Sequence, residues 1–243
     1  MNTLDLIKGK KALLFDLDDT LYATSNIYNL GLERAWKIAQ KHKLFVDFDL
    51  KSFVQLYQQA RDLSKKDIGS SPSKSNRLIY FHKLICLKNG RPLAQLALDL
   101  NSAYSSAYID IDFSQARTVL TALKNNFKIA IVTNQTLDAQ LIKLANLDPD
   151  GSLIDVFVTS EEAGAEKPNP RIFQLALERL GLLADQVVMI GDDWNADIIG
   201  ATQLGIDSIY MRSNHDQLDI LMPQTAADTA SISSLKCLIN LSD

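Results

Sequence analysis

The sequence predicts an α/β fold: a Rossmann-like parallel-sheet core with an α-helical cap inserted after the first strand. Three observations carry that expectation. Short, unbroken apolar runs recur along the chain, and such runs suit strands buried on both faces. From about Phe113 to Met211 these runs alternate with helical periodicities, the pattern of right-handed parallel βαβ units. Between the first run and this alternating region lie about ninety residues with amphipathic helical stripes and no strand pattern.

The first strand is Ala12–Phe15, which ends abruptly in Asp16-Leu17-Asp18-Asp19-Thr20. Four helical stripes follow: Leu32, Ala35, Trp36 and Ala39; Phe53, Leu56, Tyr57 and Ala60; Leu78, Phe81 and Ile85; then Leu93, Leu96, Ala97 and Leu100. A polar, breaker-rich stretch from Gly69 to Ser75 interrupts them. Val119, Leu120 and Leu123 mark a helix before the second strand, around Phe127–Val132, and Leu137, Leu141 and Leu144 mark one after it. Further strands are expected around Ile154–Val158, Val187–Ile190 and Ser208–Tyr210, with a helix carrying Ile172, Leu175, Ala176 and Arg179. The expected organisation is a core over residues 1–21 and 111–243 and a cap over 22–110.

Composition excludes several classes. Apolar residues are 47% and charged residues 22% of the 243, values of an ordinary globular chain rather than a disordered one. The apolar runs are strand-sized, so no membrane span is expected, and Met1–Lys11 lacks the basic-then-apolar block of a secretory leader. A net charge of −4 disfavours a general nucleic-acid binder. Cys86 and Cys237 are too few for a disulfide framework or a thiolate zinc site and are expected as buried apolar fillers. His42, His82 and His215 show no metal-ligand spacing and read as surface or cap residues. A cytoplasmic enzyme is the expectation. Charge is unevenly spread: residues 22–110 hold 13 Lys/Arg against 7 Asp/Glu, leaving 12 against 22 elsewhere. The cap excess reads either as solvated helix faces or as a draw for a polyanionic substrate, with Lys65, Lys66, Lys74 and Arg77 as candidates to grip a second anionic group.

Four segments carry the chemistry, each at a strand end or a helix start: Asp16 with Asp18; Thr133-Asn134; Lys167-Pro168, before a helix marked by Asn169 and Pro170; and Gly191-Asp192-Asp193, with Asp197 beyond. In open parallel sheets, ligand sites form beyond the carboxyl ends of the strands, so all four are expected on one edge. There, Asp16, Asp18, Asp192 and Asp197 against Lys167 leave a charge of about −3. An all-oxygen cluster of this kind suits a hard cation such as Mg²⁺, and a lysine and a hydroxyl beside it suit a phosphoryl group. No GxxxxGK, GxGxxG or GxSxG motif is present, which removes nucleotide-hydrolase loops, dinucleotide fingerprints and serine-hydrolase elbows.

DLDDT at Asp16–Thr20, VTN at Val132–Asn134, KPNPRIF at Lys167–Phe173 and GDDWNAD at Gly191–Asp197, in this order, resemble the haloacid dehalogenase-like hydrolases, specifically the phosphatase branch with a helical cap after the first strand. The resemblance covers nearly the whole chain and implies roles. Asp16 would be the nucleophile that forms an aspartyl-phosphate. Asp18 would protonate the leaving oxygen and later activate water, with its backbone carbonyl on Mg²⁺. Thr133, Asn134 and Lys167 would bind substrate, Lys167 also balancing Asp16. The metal set would be Asp16, Asp18 and Asp192, with Asp197 supporting and Asp193 either a ligand or a loop support. Relatives that break carbon–halogen bonds lack the acid at position 18, so its presence favours phosphate esters. The implied function is a Mg²⁺-dependent phosphomonoesterase acting on a small soluble ester: a nucleotide, a sugar phosphate or a sialic-acid-type phosphate. The cap segment NRLIYFHKL at Asn76–Leu84 resembles enzymes of the last group. A phosphomutase of the same chemistry is the alternative. A phospho-aspartate switch fits less well, since receiver domains carry no insert after the first strand, and a non-catalytic binding protein stays open.

Overall fold

The structure, a computed structural model, describes residues 6–211 and 230–241; His215 lies outside the described residues. The chain divides into two compact units, one comprising Met1–Ala23, Asp112–Asn134 and Leu147–Asp243 and the other Thr24–Ile111 and Gln135–Asn146.

The first unit is built on a parallel sheet of β1 (Ala12–Phe15), β2 (Lys128–Thr133), β3 (Val156–Thr159), β4 (Val187–Gly191), β5 (Asp207–Met211) and β6 (Ala230–Ile232), in the spatial order β3-β2-β1-β4-β5-β6. Central strand β1 pairs on both sides, Phe15 opposite Ile131 of β2 and Ile190 of β4, and it is buried over its whole length. That is why it reads as a continuous apolar run with no alternation. Ala12, Leu14, Val132, Val158, Ile172, Phe173, Ala176 and Met189 share one hydrophobic cluster. The crossover helix contributing Ile172, Phe173 and Ala176 runs Pro170–Leu180. Asn169 caps it by accepting from Arg171 N–H, Pro170 occupies its first turn, and Gly181 closes it at φ +66°. The sixth strand has no counterpart among the five strands expected from the sequence. It is three residues long with Ser231 in its middle, too short to stand out as an apolar run.

The second unit is helical. It contains α1 (Thr24–Ala39), α2 (Leu50–Ile68), α3 (Arg77–Asn89) and α4 (Ala94–Ser105), with 3₁₀ turns at Pro72–Ser75 and Ser106–Asp110. Its interior is aromatic: Phe53, Tyr57, Phe81, Tyr104 and Tyr108 are buried, and the Tyr57 and Tyr104 rings stack 6.4 Å apart at 12°. The Arg77 guanidinium lies 5.0 Å over the Tyr104 ring, and the buried Lys143 ammonium lies 4.8 Å over Tyr108. Asn146 ties its segment in by donating to the carbonyls of Tyr108, Ile109 and Ile111 at 3.0–3.2 Å. Cys86 and Cys237 are half-buried free thiols rather than buried fillers, and the Cys86 Sγ sits 3.7 Å from Nε2 of the exposed His82. Among the described residues no helix is long and apolar enough to cross a membrane.

Candidate active site

Because every strand of the sheet runs in the same direction, their carboxyl ends share one edge. There a cleft of about 200 Å³ is lined by all eight residues picked out from the sequence, Asp16, Asp18, Thr133, Asn134, Lys167, Asp192, Asp193 and Asp197, together with Asp19 and Ala196. Asp16 continues β1 and is anchored by its N–H to Ile190 O at 2.9 Å. Thr133 is the last residue of β2, and Asp192 follows the last residue of β4.

Lys167 is the organising cation. Its side chain is 2% exposed, and its Nζ donates to Asp16 Oδ1 at 2.5 Å and Val132 O at 2.7 Å. The same Nζ pairs with Asp197 Oδ1 at 2.6 Å, and the Asp197 side chain is 1% exposed. A buried ammonium needs such a set of oxygens, since its three donors lose water on burial. The Lys167 backbone is held separately: its N–H donates to Asn134 Oδ1 at 2.7 Å, and Asn134 Nδ2 donates to Lys167 O at 3.0 Å. Asn134 thus grips the loop that presents the lysine. The Lys167–Pro168 peptide is cis.

The acids are held just as closely. Thr20 Oγ1 donates to Asp192 Oδ1 at 3.0 Å, and Asp193 N–H donates to Asp197 Oδ2 at 3.0 Å. Asp193 turns its own Oδ1 to the N–H groups of Asn195 and Ala196, both at 2.9 Å, capping the π-helical turn Trp194–Ile199. Trp194 lies edge-on to Tyr210 at 5.5 Å, a packing contact. A Cβ on Gly191 would come 2.2 Å from Asp197 Oδ2, so that position requires glycine for closeness of approach. The sequence assigns no role of its own to Thr20 or Gly191, which lie inside motifs, or to Tyr22, which stands just past one and whose hydroxyl donates to Asp18 Oδ1 at 2.5 Å.

Oxygens of Asp16, Asp192 and Asp197 lie within 4.8 Å of one another. Burial pushes the Asp16 carboxyl well above the ordinary carboxylate range; Lys167 pulls it down, while Asp197, Asp192 and Asp18 add to the rise. Asp192 is pushed up to about 7, first by burial and then by the Asp197 charge, against the Thr20 hydrogen bond. Burial disfavours the charged form of Lys167, but Asp16 and Asp197 outweigh it and hold the lysine above its usual value. Three carboxyls thus gather around one ammonium; the donors are all oxygen, and the set fits a hard divalent ion.

A family model described as haloacid dehalogenase-like hydrolase matches residues 10–205. The chain is 40% identical to the ribulose-1,5-bisphosphate 5-phosphatase of Halopiger xanaduensis over 82% of its length and 83% of that protein's. It is 31% identical to the glyceraldehyde 3-phosphate phosphatase of Methanothermobacter thermautotrophicus, over 84% and 86% of the two chains. Among solved structures, a 2-haloacid dehalogenase from Pseudomonas syringae shares the fold with a TM-score of 0.74 at 21% identity, covering 96% of this chain and 97% of that one.

Proposed function

This chain belongs to the haloacid dehalogenase-like hydrolases and is a phosphatase of small phosphate esters, and we propose that it is a Mg²⁺-dependent phosphomonoesterase working through an aspartyl-phosphate on Asp16. The observation that carries the reading is the ammonium of Lys167 held by Asp16 and Asp197 at the mouth of β1. It keeps the Asp16 carboxyl in place as a nucleophile.

In this reading Asp16 attacks phosphorus, the Thr133 hydroxyl and Lys167 hold the phosphoryl oxygens, and Asn134 keeps the lysine loop in register. Asp18 delivers a proton to the leaving oxygen and recovers one from the water that cleaves the acyl phosphate. Splitting the displacement in this way gives two easier steps. Asp16, the Asp18 backbone carbonyl and Asp192 would hold Mg²⁺, which when bound neutralises phosphoryl charge. Asp197 orients Lys167, and the capping contacts of Asp193 favour a role in supporting the loop over ligating metal. The substrate we infer is a phosphorylated sugar or sugar bisphosphate, since the Halopiger and Methanothermobacter relatives act on ribulose 1,5-bisphosphate and glyceraldehyde 3-phosphate. Free thiols at Cys86 and Cys237 suit a cytoplasmic setting.

The test is phosphate release across a panel of sugar phosphates, sugar bisphosphates and nucleotides, with and without EDTA. Sugar esters should turn over fastest, EDTA should stop the reaction, and added Mg²⁺ should restore it. Undiminished release after metal stripping, or release from no ester in the panel, would overturn the proposal.

A further inference from the structure

Just after β1 the chain makes a single turn over Leu17–Leu21. Asp19 takes φ +63°, a left-handed conformation uncommon outside glycine, and Leu21 N–H donates to Leu17 O at 3.0 Å. Leu17 and Leu21 are buried, so both legs of the turn are anchored. The turn brings Tyr22 into a parallel bridge with Asp18, and the phenol hydroxyl donates to Asp18 Oδ1 at 2.5 Å. The Tyr22 ring is fixed in turn by an edge contact with the fully buried Phe113, centroids 5.3 Å apart at 72°. Backbone, ring and hydroxyl are each held, and together they set the rotation of the Asp18 carboxyl.

We propose that Tyr22 is a positioning residue for Asp18, fixing the rotation of the carboxyl that exchanges the proton. This rests on reading Asp18 as the acid of the phosphatase reaction. The phenol holds one carboxyl oxygen, and with it the plane in which the other is presented. In the first step an Asp16 oxygen bonds to phosphorus as the ester P–O bond breaks, and the departing oxygen takes the Asp18 proton with its new electron pair. In the second, water oxygen bonds to phosphorus, its proton passes to Asp18, and the P–O bond to Asp16 breaks with the electrons returning to Asp16. Tyr22 keeps its own hydrogen throughout, so the site ends as it began.

Tyr22→Phe preserves the ring and its contact with Phe113 and removes only the hydroxyl. On the full-length, Mg²⁺-loaded protein, kcat and KM are measured for p-nitrophenyl phosphate, whose leaving group needs little protonation, and for phenyl phosphate, whose leaving group needs more. The variant should lose about tenfold in kcat on phenyl phosphate and no more than about twofold on p-nitrophenyl phosphate, with KM unchanged for both. Combined with Asp18→Asn it should add no further selective loss. An equal fall on both esters, or no fall, overturns the proposal. Asp18→Asn alone separates the two ideas: selectivity there without selectivity in Tyr22→Phe defeats the role of Tyr22 only, whereas no selectivity in Asp18→Asn defeats the acid reading and this inference with it.

Discussion

In the core unit the interior is aliphatic, with Leu13, Leu14, Ile131, Val188 and Ile190 fully buried on the strands, and the polar groups wait where the strands stop. In the helical unit the interior is itself part polar: tyrosine rings with hydroxyl edges, a guanidinium over Tyr104 and an ammonium over Tyr108. Charge follows the same division. Thr24–Ile111 with Gln135–Asn146 hold 14 basic and 8 acidic residues, a net of +6, and the core unit holds 11 and 21, a net of −10. The contrast teaches where fragility lies. Chemistry concentrated on one sheet edge is mutually dependent, so single changes there break it; polarity dispersed through a helical interior is altered by degrees.

The sharpest break of that contrast is Lys167→Met. It would leave the buried Asp16 and Asp197 without their shared ammonium. Turnover should fall by about 10³-fold or more, and stability at pH 8 by about 3–5 kcal/mol, read by urea unfolding. Lys66→Ala, on an exposed face of α2, should stay within about 0.5 kcal/mol.

The same substitution made in each unit sharpens the comparison. Gly191→Ala places a methyl 2.2 Å from Asp197 Oδ2, and activity should drop about 10²-fold through the displaced carboxylate. Gly31→Ala meets Tyr104 ring carbons at 2.8–2.9 Å; it should cost about 1–3 kcal/mol of stability and leave kcat on p-nitrophenyl phosphate within about twofold. Equal kinetic damage from both would erase the distinction.

Proton linkage gives a milder effect confined to the core. Asp192 is held up to about 7 when folded, above its unfolded value, so its ionisation costs the metal-free fold stability progressively as the pH rises from about 4 through about 7. Mg²⁺ must displace that proton. Its affinity should therefore climb as the pH rises through about 7, and its thermal stabilisation of the protein should be larger at pH 8 than at pH 5.5. Titration of Mg²⁺ across that range checks the sign.

The smallest expected change belongs to the helical unit. Neutralising Lys65, Lys66, Lys74 and Arg77 together should lower kcat/KM a few-fold more for a sugar bisphosphate than for a monophosphate, with the difference fading at high salt. A constant ratio at every ionic strength would assign those charges to solvated helix faces.

Much of this was legible in the residues, for physical reasons that differ by region. Ala12–Phe15 could be read to the residue because a doubly buried strand is apolar throughout and stops at a carboxylate. The gathering of Asp16, Thr133 and Asp192 on one edge follows from parallel strands, since each stands where a strand stops. Tyr22 was invisible, because its meeting with Asp18 depends on the positive φ of Asp19. Gly191 was seen only as part of a motif, because its need for a bare Cα comes from a side chain six residues on. The association of Gln135–Asn146 with the helical unit rests on carbonyls that Asn146 finds at Tyr108, Ile109 and Ile111, and no periodicity encodes that.

The central claim is a covalent phosphoryl group on Asp16. Rapid quenching of the Mg²⁺-loaded protein during turnover of p-nitrophenyl phosphate, followed by peptide mass spectrometry, tests it directly. The phosphoryl group should be found on the Asp16 peptide, appearing and disappearing at least as fast as turnover, and it should accumulate further in Asp18→Asn, where the water is poorly activated. Phosphate released at the full rate with no phosphoryl on that peptide at any time would contradict the account.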